Sequence, residues 1–417
     1  MTPGNPLYSE IDAGNLEAVR RGVVFDNLFV DTPFQAKLRR AGVWDPFLGG
    51  SGMMEGFIFG RLQGAAVAPG STVTVTRQQT NTGLKFLPKA YVSWAPIDDW
   101  ELDDGSGTGG VINSGPSMIV NQYQILMEIM VQTINTMIEM DSFRHGQPNA
   151  AAIADNRVLN TNGLSEALNN GIDPSWDGNC FPTYGGNVRN GVIGPALNSV
   201  PLWLGTPTGA VGQIDFNALM RLWGQCVVTG GKPDLGITNV LGFVAVANAL
   251  DAQRRDVSNK NHDIQWDGLI FNGVEIYADP LAPSSLAGDF LAMAPAAGIS
   301  GNNNLADGAG NSTITGLLTT PQYTNPATGG IGAVNVATSV TGSNFPSNTV
   351  CTVGEVIFFL ESGSFKIRPT NKKGWNYGLR RSQMPNNVSM DALFMRLGTN
   401  LYNTMPRHNA VAFGFSS

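Results

Sequence analysis

The sequence predicts an α+β chain on three observations. "STVTVT" at 71–76 alternates Val with Thr and reads as strand, and a long run of regularly spaced apolar residues ending at Phe143 reads as helix. In "LIFNGVEIYADPLAP" at 269–283, Asn272-Gly273 parts two apolar runs as a hairpin turn. At 417 residues the chain exceeds what one hydrophobic core usually holds, which suggests two or three domains. With 42% hydrophobic and 14% charged residues, 51 Gly and 24 Pro, it is weakly charged and rich in loops and strands.

Residues 1–52 mix acid and base in short amphipathic runs such as "FDNLFVDTPFQAKLRRAG", an arm with limited helix that ends in the flexible "LGGSG". From Gly56 to Ala95 the pattern is β: "GFIFGRL", "STVTVTRQQ" and "LKFLPKAYVSWA", with turns expected at Gly70 and at "NTG" 81–83. A Thr-rich ribbon with so few large apolar residues buries little by itself and needs something else to lie upon. After the acidic "DDWELDDGSGTGG" a helix is expected from Pro116 to Phe143, with Ser114 as cap and Gly146 and Pro148 beyond its end. Ile119, Tyr123, Leu126, Met130, Ile134 and Met137 share one face of it, and at 1.5 Å per residue it would run about 40 Å.

Residues 147–212 are dominated by Gly, Asn and Pro, and short irregular strands are expected there because a structureless loop of that length is rare. Two helices follow. "DFNALMRLWGQCVVTG" takes Asp215 as N-cap and Gly230 as stop, and "LGFVAVANALDAQRRDV" places Phe243, Val246, Ala247 and Leu250 on one face. The Asn272-Gly273 turn then pairs Phe271 with Val274, Ile270 with Glu275 and Leu269 with Ile276. Residues 290–354 carry one charge, Asp307, and read as an inserted polar β module or an ordered surface loop. The β pattern returns in "EVIFFLESGSFKIR" and "ALFMRLGTNLYNTMPRHNAVAFGF".

The search for chemistry yields no enzyme and no cofactor. Glu275, Tyr277 and Asp279 fall on one face of a strand, so the two carboxylates stand about 13 Å apart. A glycosidase pair needs about 5 to 9.5 Å. They read instead as polar positions on an outer or inter-subunit face of the hairpin. A calcium loop begun at Asp99 would have Asp104 where that loop needs Gly. "GSGTGG" at 105–110 follows an acidic run rather than an apolar strand and lacks a following GKS or GKT. No G-x-S-x-G elbow occurs. His145, His262 and His408 stand apart from one another, outside any H-E-x-x-H pattern, and read as capping or surface histidines. Cys180, Cys226 and Cys351, widely spaced, read as buried free thiols. The opening "MTPGNPLYSEIDAGNLEAV" shows no secretory pattern, and "MIVNQYQILMEIMVQTINTMI" is too broken by polar residues for a membrane span.

The net charge of −7 conceals two opposed segments. Gly363 to Ser417 holds eight Lys and Arg against Asp391 alone, while Ala90 to Phe143 holds eight acids and no base. Such segments either meet between copies of the chain or are solvated faces of one copy. On the first reading the candidate inter-subunit contacts are Asp98, Asp99, Asp103 and Asp104 on the acidic side, and Lys372, Lys373, Arg380 and Arg381 on the basic side. The basic stretch "FKIRPTNKKGWNYGLRR" also interleaves aromatics as a non-specific nucleic-acid groove would.

The order of these parts resembles the major capsid proteins of tailed bacteriophages with the Hong Kong 97-like fold. The likeness is carried by "GGKPDLGITN" (230–239), "DAQRRD" (251–256), "WDGLIFNGVEIYADPLAP" (266–283) and "NLYNTMPRHNAVAFGF" (400–415). In the first half it rests on "EGFIFGRLQGAAVAPGSTVTV" and "GPSMIVNQYQILMEIMVQTINTMIEM". The resemblance implies an N-terminal arm (1–55), an extended β-loop (56–95), a peripheral domain with a long spine helix (96–146) and an axial domain (147–354) in which 290–354 is an insertion. Returning strands of the peripheral and axial domains would occupy 355–417. It further implies a structural protein, present as pentamers and hexamers of an icosahedral virion shell assembled in the host cytoplasm. Its partners would be further copies of itself, portal, scaffold and decoration proteins, and non-specifically held packaged double-stranded DNA, with no membrane. Lys85 and Lys89, in the loop, would join the inter-subunit contacts. Two rivals are a secreted polysaccharide-binding or degrading protein and a surface-layer β-rich protein; both predict an export signal.

Overall fold

The computed structural model describes residues 32–41, 46–47, 49–50, 52–72, 74, 76–98, 122–146, 161–250, 269–284, 339–340, 351–370, 378–383 and 390–416. In chain order the main elements begin with helix α1 (Pro33–Arg40), strands β1 (Met53–Ile58), β2 (Asn81–Phe86) and β3 (Lys89–Asp98), and helix α2 (Gln122–Ser142). Strands β4 (Leu202–Trp203) and β5 (Gly212–Gln213), helix α3 (Phe216–Val228), strand β6 (Leu235–Thr238) and helix α4 (Val240–Ala249) come next. Then come β7 (Leu269–Phe271), β8 (Val274–Ala278), β9 (Glu355–Leu360), β10 (Phe365–Ile367), β11 (Gly378–Gln383), β12 (Met390–Thr399), β13 (Leu401–Asn403) and β14 (Ala410–Ser416). The chain divides into two compact units, one drawn from residues 90–137 and 375–398, the other from 31–89, 138–374 and 399–417.

The larger unit is built on a mixed sheet in the order β4-β14-β9-β6-β8-β7, with β5 also pairing β14. Strand β9, "EVIFFL", is buried at every position, the pattern of a central strand covered on both faces. It runs antiparallel to both β6 and β14, while β8 runs parallel to β6 after the α4 crossover. One face is covered by α3 and α4, whose Leu219, Leu222, Cys226, Ala245 and Val246 share a core with Phe271, Ile276, Ile357 and Phe359. The other face is aromatic. Phe358 of β9 meets Trp176 edge-on with ring centres 4.8 Å apart and Phe143 at 5.8 Å, and Phe143 meets Phe34 of α1 at 5.5 Å. Contacts of this kind between residues so distant in sequence fix α1 to the sheet.

Local chemistry sets the helix starts. Asp215 accepts a hydrogen bond from the Ala218 amide at 2.6 Å, and Gly230 takes φ +95 just beyond the helix, as its sequence predicts. Asn239 caps α4 in the same way, through the Gly242 amide. The 7–8 hairpin has the expected register residue for residue, with φ +49 at Asn272 and +85 at Gly273. Residues 161–200 hold the one-turn helices Leu164–Ala167 and Gly194–Leu197 and a two-residue hairpin, so the expectation of hidden short structure there holds.

The smaller unit contains a three-stranded sheet in the order β11-β12-β3, with Arg380 opposite Phe394 and Arg381 opposite Leu393. On α2, Met130, Ile134 and Met137 are buried and Leu126 is half-buried, as the expected stripe requires, but from Thr136 to Ser142 every residue is buried, so the end of the helix is covered all round. Ile119 and the Ser114 cap lie outside the described residues.

Two expectations are corrected and a third lies largely outside the described residues. "STVTVT" is not a strand at its described positions, where no described residue lies opposite to complete a ladder; Val73 and Val75 fall outside the described residues. "NTG" at 81–83 is not a turn but the start of β2, with Asn81 paired to Ile58 and Gly83 to Gly56. Residues 290–354 lie largely outside the described chain, which shows there only Ser339–Val340 paired with Cys351–Thr352, and Val353 and Gly354 leading into β9.

Candidate self-association surface

Strands β1 and β2 form an antiparallel ribbon from Met53↔Phe86 to Ile58↔Asn81, and the described chain between them carries no further strand and turns at Pro69-Gly70, where the sequence placed a turn. Its base is anchored in the larger unit. Met53, Leu84 and Phe86 are buried with Tyr184, Leu197 and Tyr402, and the Phe86 ring stacks on Tyr402 with centres 4.3 Å apart. Glu55 accepts from the Tyr402 hydroxyl at 2.7 Å and pairs with Arg368 at 3.0 Å, while the Lys85 amide donates to the Gly185 carbonyl at 2.9 Å. Gly185 has φ +54 and lies against Leu84 so closely that a side chain there would displace the ribbon.

Beyond Phe57, which still packs against that cluster, and Gly83, whose carbonyl accepts from the Asn187 side chain at 2.9 Å, the described ribbon is largely exposed. Ile58 is 77% exposed and Leu62 76%, with Val67 also over half exposed, while at the base Met54 and Leu87 point outward. A two-stranded ribbon is marginal in water by itself, which makes these exposed apolar residues the candidate surface. Val228 at the end of α3, and Val240 and Val244 on α4, are further exposed apolar positions on the helical side of the sheet.

The charged candidates are placed unevenly. Lys85 is exposed on β2. Lys89 is turned inward, its ammonium donating to the Gly146 carbonyl at 3.1 Å, and burial lowers its pKa against the pull of Glu166 and Asp141. The backbone of Asp98 lies on β3 and those of Arg380 and Arg381 on β11, so both signs belong to one three-stranded sheet. Asp99, Asp103, Asp104, Lys372 and Lys373 lie outside the described residues.

The catalytic candidates are engaged elsewhere. Glu275 is ion-paired with Lys37 at 2.6 Å and accepts from the Tyr277 hydroxyl at 2.5 Å. Asp279 is fully buried, against the expectation of an outer or inter-subunit position, because α1 and α2 cover the end of β8. Among the described residues no cluster of His, Cys, Asp and Glu could hold a metal ion, and no helix is long and apolar enough to cross a membrane. His145 is buried against Phe181 rather than at the surface, and His408 pairs with Glu361 at 2.8 Å; His262 lies outside the described residues. Cys226 is a buried free thiol pushed up to about 12 by desolvation, and Cys180 is free but half-exposed.

Sequence reasoning found the ribbon from its composition. It missed the docking of α1, for which "TPFQAKLRR", with Pro at the first helical position and three bases in the last turn, was the available signal.

No family model matches the chain, and no curated protein matches its sequence. Solved structures do match. The capsid asymmetric unit of cyanophage A-1(L) aligns over 95% of this chain and 96% of its own at 10% identity, with a TM-score of 0.54. The capsid of a native GTA particle aligns over 94% and 93% at 9% identity with a TM-score of 0.47, and that of cyanophage P-SCSP1u over 95% and 92% at 9% with 0.46. The first of these likenesses, which spans both chains almost entirely, shows that the present chain has the Hong Kong 97-like fold.

Proposed function

We propose that this chain is a major capsid protein, whose copies assemble as pentamers and hexamers into an icosahedral virion shell around phage double-stranded DNA, without catalysis. The observation that carries the reading is the ribbon, anchored at its base and apolar along its exposed length, on a fold shared with the capsid subunit of cyanophage A-1(L). A ribbon so built gains its missing partner when it lies across a neighbouring copy. In this reading residues 1–55 are the N-terminal arm, 56–95 the extended loop, and 96–146 the peripheral domain with α2 as spine helix. Residues 147–354 are the axial domain with an insertion at 290–354, and 355–417 return to both domains. Asp98, Asp99, Asp103, Asp104, Lys85, Lys89, Lys372, Lys373, Arg380 and Arg381 are then contacts between copies, with Lys89 first leaving Gly146. Portal, scaffold and decoration proteins are the remaining partners, and the negative net charge suits a shell within which packaged DNA slides.

The test is to replace residues 61–79 by a short Gly-Ser linker. Because that segment is almost wholly exposed, the variant should unfold at the wild-type denaturant midpoint yet elute as small species where the wild type forms large assemblies by light scattering. Unchanged assembly would contradict the reading.

A further inference from the structure

Helix α1 begins without a cap of its own. Its N-cap residue Thr32 makes no side-chain capping hydrogen bond, and Pro33 has no amide hydrogen to offer. The first two free amides, of Phe34 and Gln35, instead donate to the two carboxylate oxygens of Glu139 on α2, at 2.9 and 3.0 Å. Glu139 is fully buried, and the side chain it meets there is another carboxyl, that of Asp279 beyond the end of β8, also fully buried. Oδ1 of Asp279 accepts from the Leu281 amide at 2.8 Å, but among the described residues Oδ2 receives no amide or side-chain donor. Two fully buried carboxyls that meet are two acceptors without a donor unless one of them carries a proton.

We propose that Glu139 and Asp279 form a one-proton latch for α1: with the proton shared between them the helix is docked, and with the proton lost to bulk water two buried carboxylates repel and α1 is released. The other charges around the pair are already committed. On α1, Lys37 is bound to Glu275, and Arg39 donates to Gln35 at 3.0 Å; Arg40 lies in the exposed last turn. On α2, Asp141 pairs with Arg144 at 3.3 Å, and Glu128 is exposed nearer its start. On β8, Glu275 and the Tyr277 hydroxyl bind each other; on β9, Glu355 accepts from Asn239; and Asp234, before β6, accepts from Ser362.

Burial is the main cause that holds both carboxyls above the usual range. Asp279 is pushed up to about 7 although Glu139 and the Leu281 and Ala282 amides pull it down, and Glu139 is raised well above its ordinary value by burial and then by Asp279. In a released helix the pair would titrate near the ordinary value of about 4. The docked state therefore binds more protons between about pH 4 and 7, and docking weakens as pH rises through that window.

The experiment is hydrogen exchange of the full chain, resolved to the Phe34 and Gln35 amides and corrected for the intrinsic pH dependence of exchange. Wild-type protection should fall by about tenfold per pH unit between about pH 5 and 7. Asp279→Asn, whose amide donates to Glu139 without titrating, should hold it level. A level wild-type profile, or an equal fall in the variant, overturns the latch. Should Asp279→Asn fail to fold, infrared spectra of the wild type decide: a protonated carboxylic acid band at pH 6 that is lost by pH 9 supports the latch, and its absence at pH 6 overturns it. Both readouts work on free or assembled chain, so they stand apart from the outcome of any assembly test.

Discussion

Arg189 is 1% exposed, and its terminal nitrogens donate to the backbone carbonyls of Glu166, Ala167, Asn169 and Leu197. Its guanidinium also sits over the Tyr184 ring, 5.0 Å from the centre. Burial lowers its pKa to about 10, which leaves it charged at neutral pH, so one planar fork organises an irregular segment that has almost no secondary structure of its own. Arg189→Met fills similar volume but strands those carbonyls, and it should cost about 3 to 5 kcal/mol, read as a lower urea midpoint. Arg189→Lys, with charge but no fork, should fall between. None of this was legible in the sequence, where 147–212 showed only Gly, Asn and Pro, because the partners lie between 8 and 23 residues away along irregular backbone. Asp279 was misplaced for a related reason. Alternation along β8 tells which face a residue takes, while what covers that face comes from Phe34 and Glu139, far away in the chain.

At the scale of elements, the β7–β8 hairpin isolates a backbone effect from a packing effect. A Cβ built on Gly273 would meet nothing within 4 Å, yet φ is +85 there. Gly273→Val should therefore destabilise by about 1 to 2 kcal/mol through conformation alone. Gly273→Asn should recover part of that loss, since Asn tolerates the left-handed region; equal denaturation midpoints for the two variants would contradict this account. Elements of this kind were legible because their signals are local: a two-residue turn fixes a register, Asp215 and Gly230 bracket α3, and a six-residue apolar run makes a central strand. "STVTVT" had the same alternation as a true strand and failed, since a strand also needs a neighbour with free donors and acceptors.

At the scale of the molecule, the order of parts carried more information than any one motif. A short first helix, ribbon, long helix, crossover sheet and returning strands appear among the described residues in that order, and together they select one fold although each alone is common. The sheet closes only when the last strand, β14, inserts between β9 and β4, which joins residues about two hundred positions apart. The long-range pairing and the aromatic layer from Phe34 to Phe358 were beyond reach of periodicity. The exposure of the ribbon was legible, because a Thr-rich segment with few large apolar residues buries little by itself.

The most direct measurement is electron microscopy of the expressed full chain, alone and with a candidate scaffold. The account predicts five- and six-membered rings, sheets of such rings or closed shells. A chain that stays a compact monomer under both conditions would contradict it.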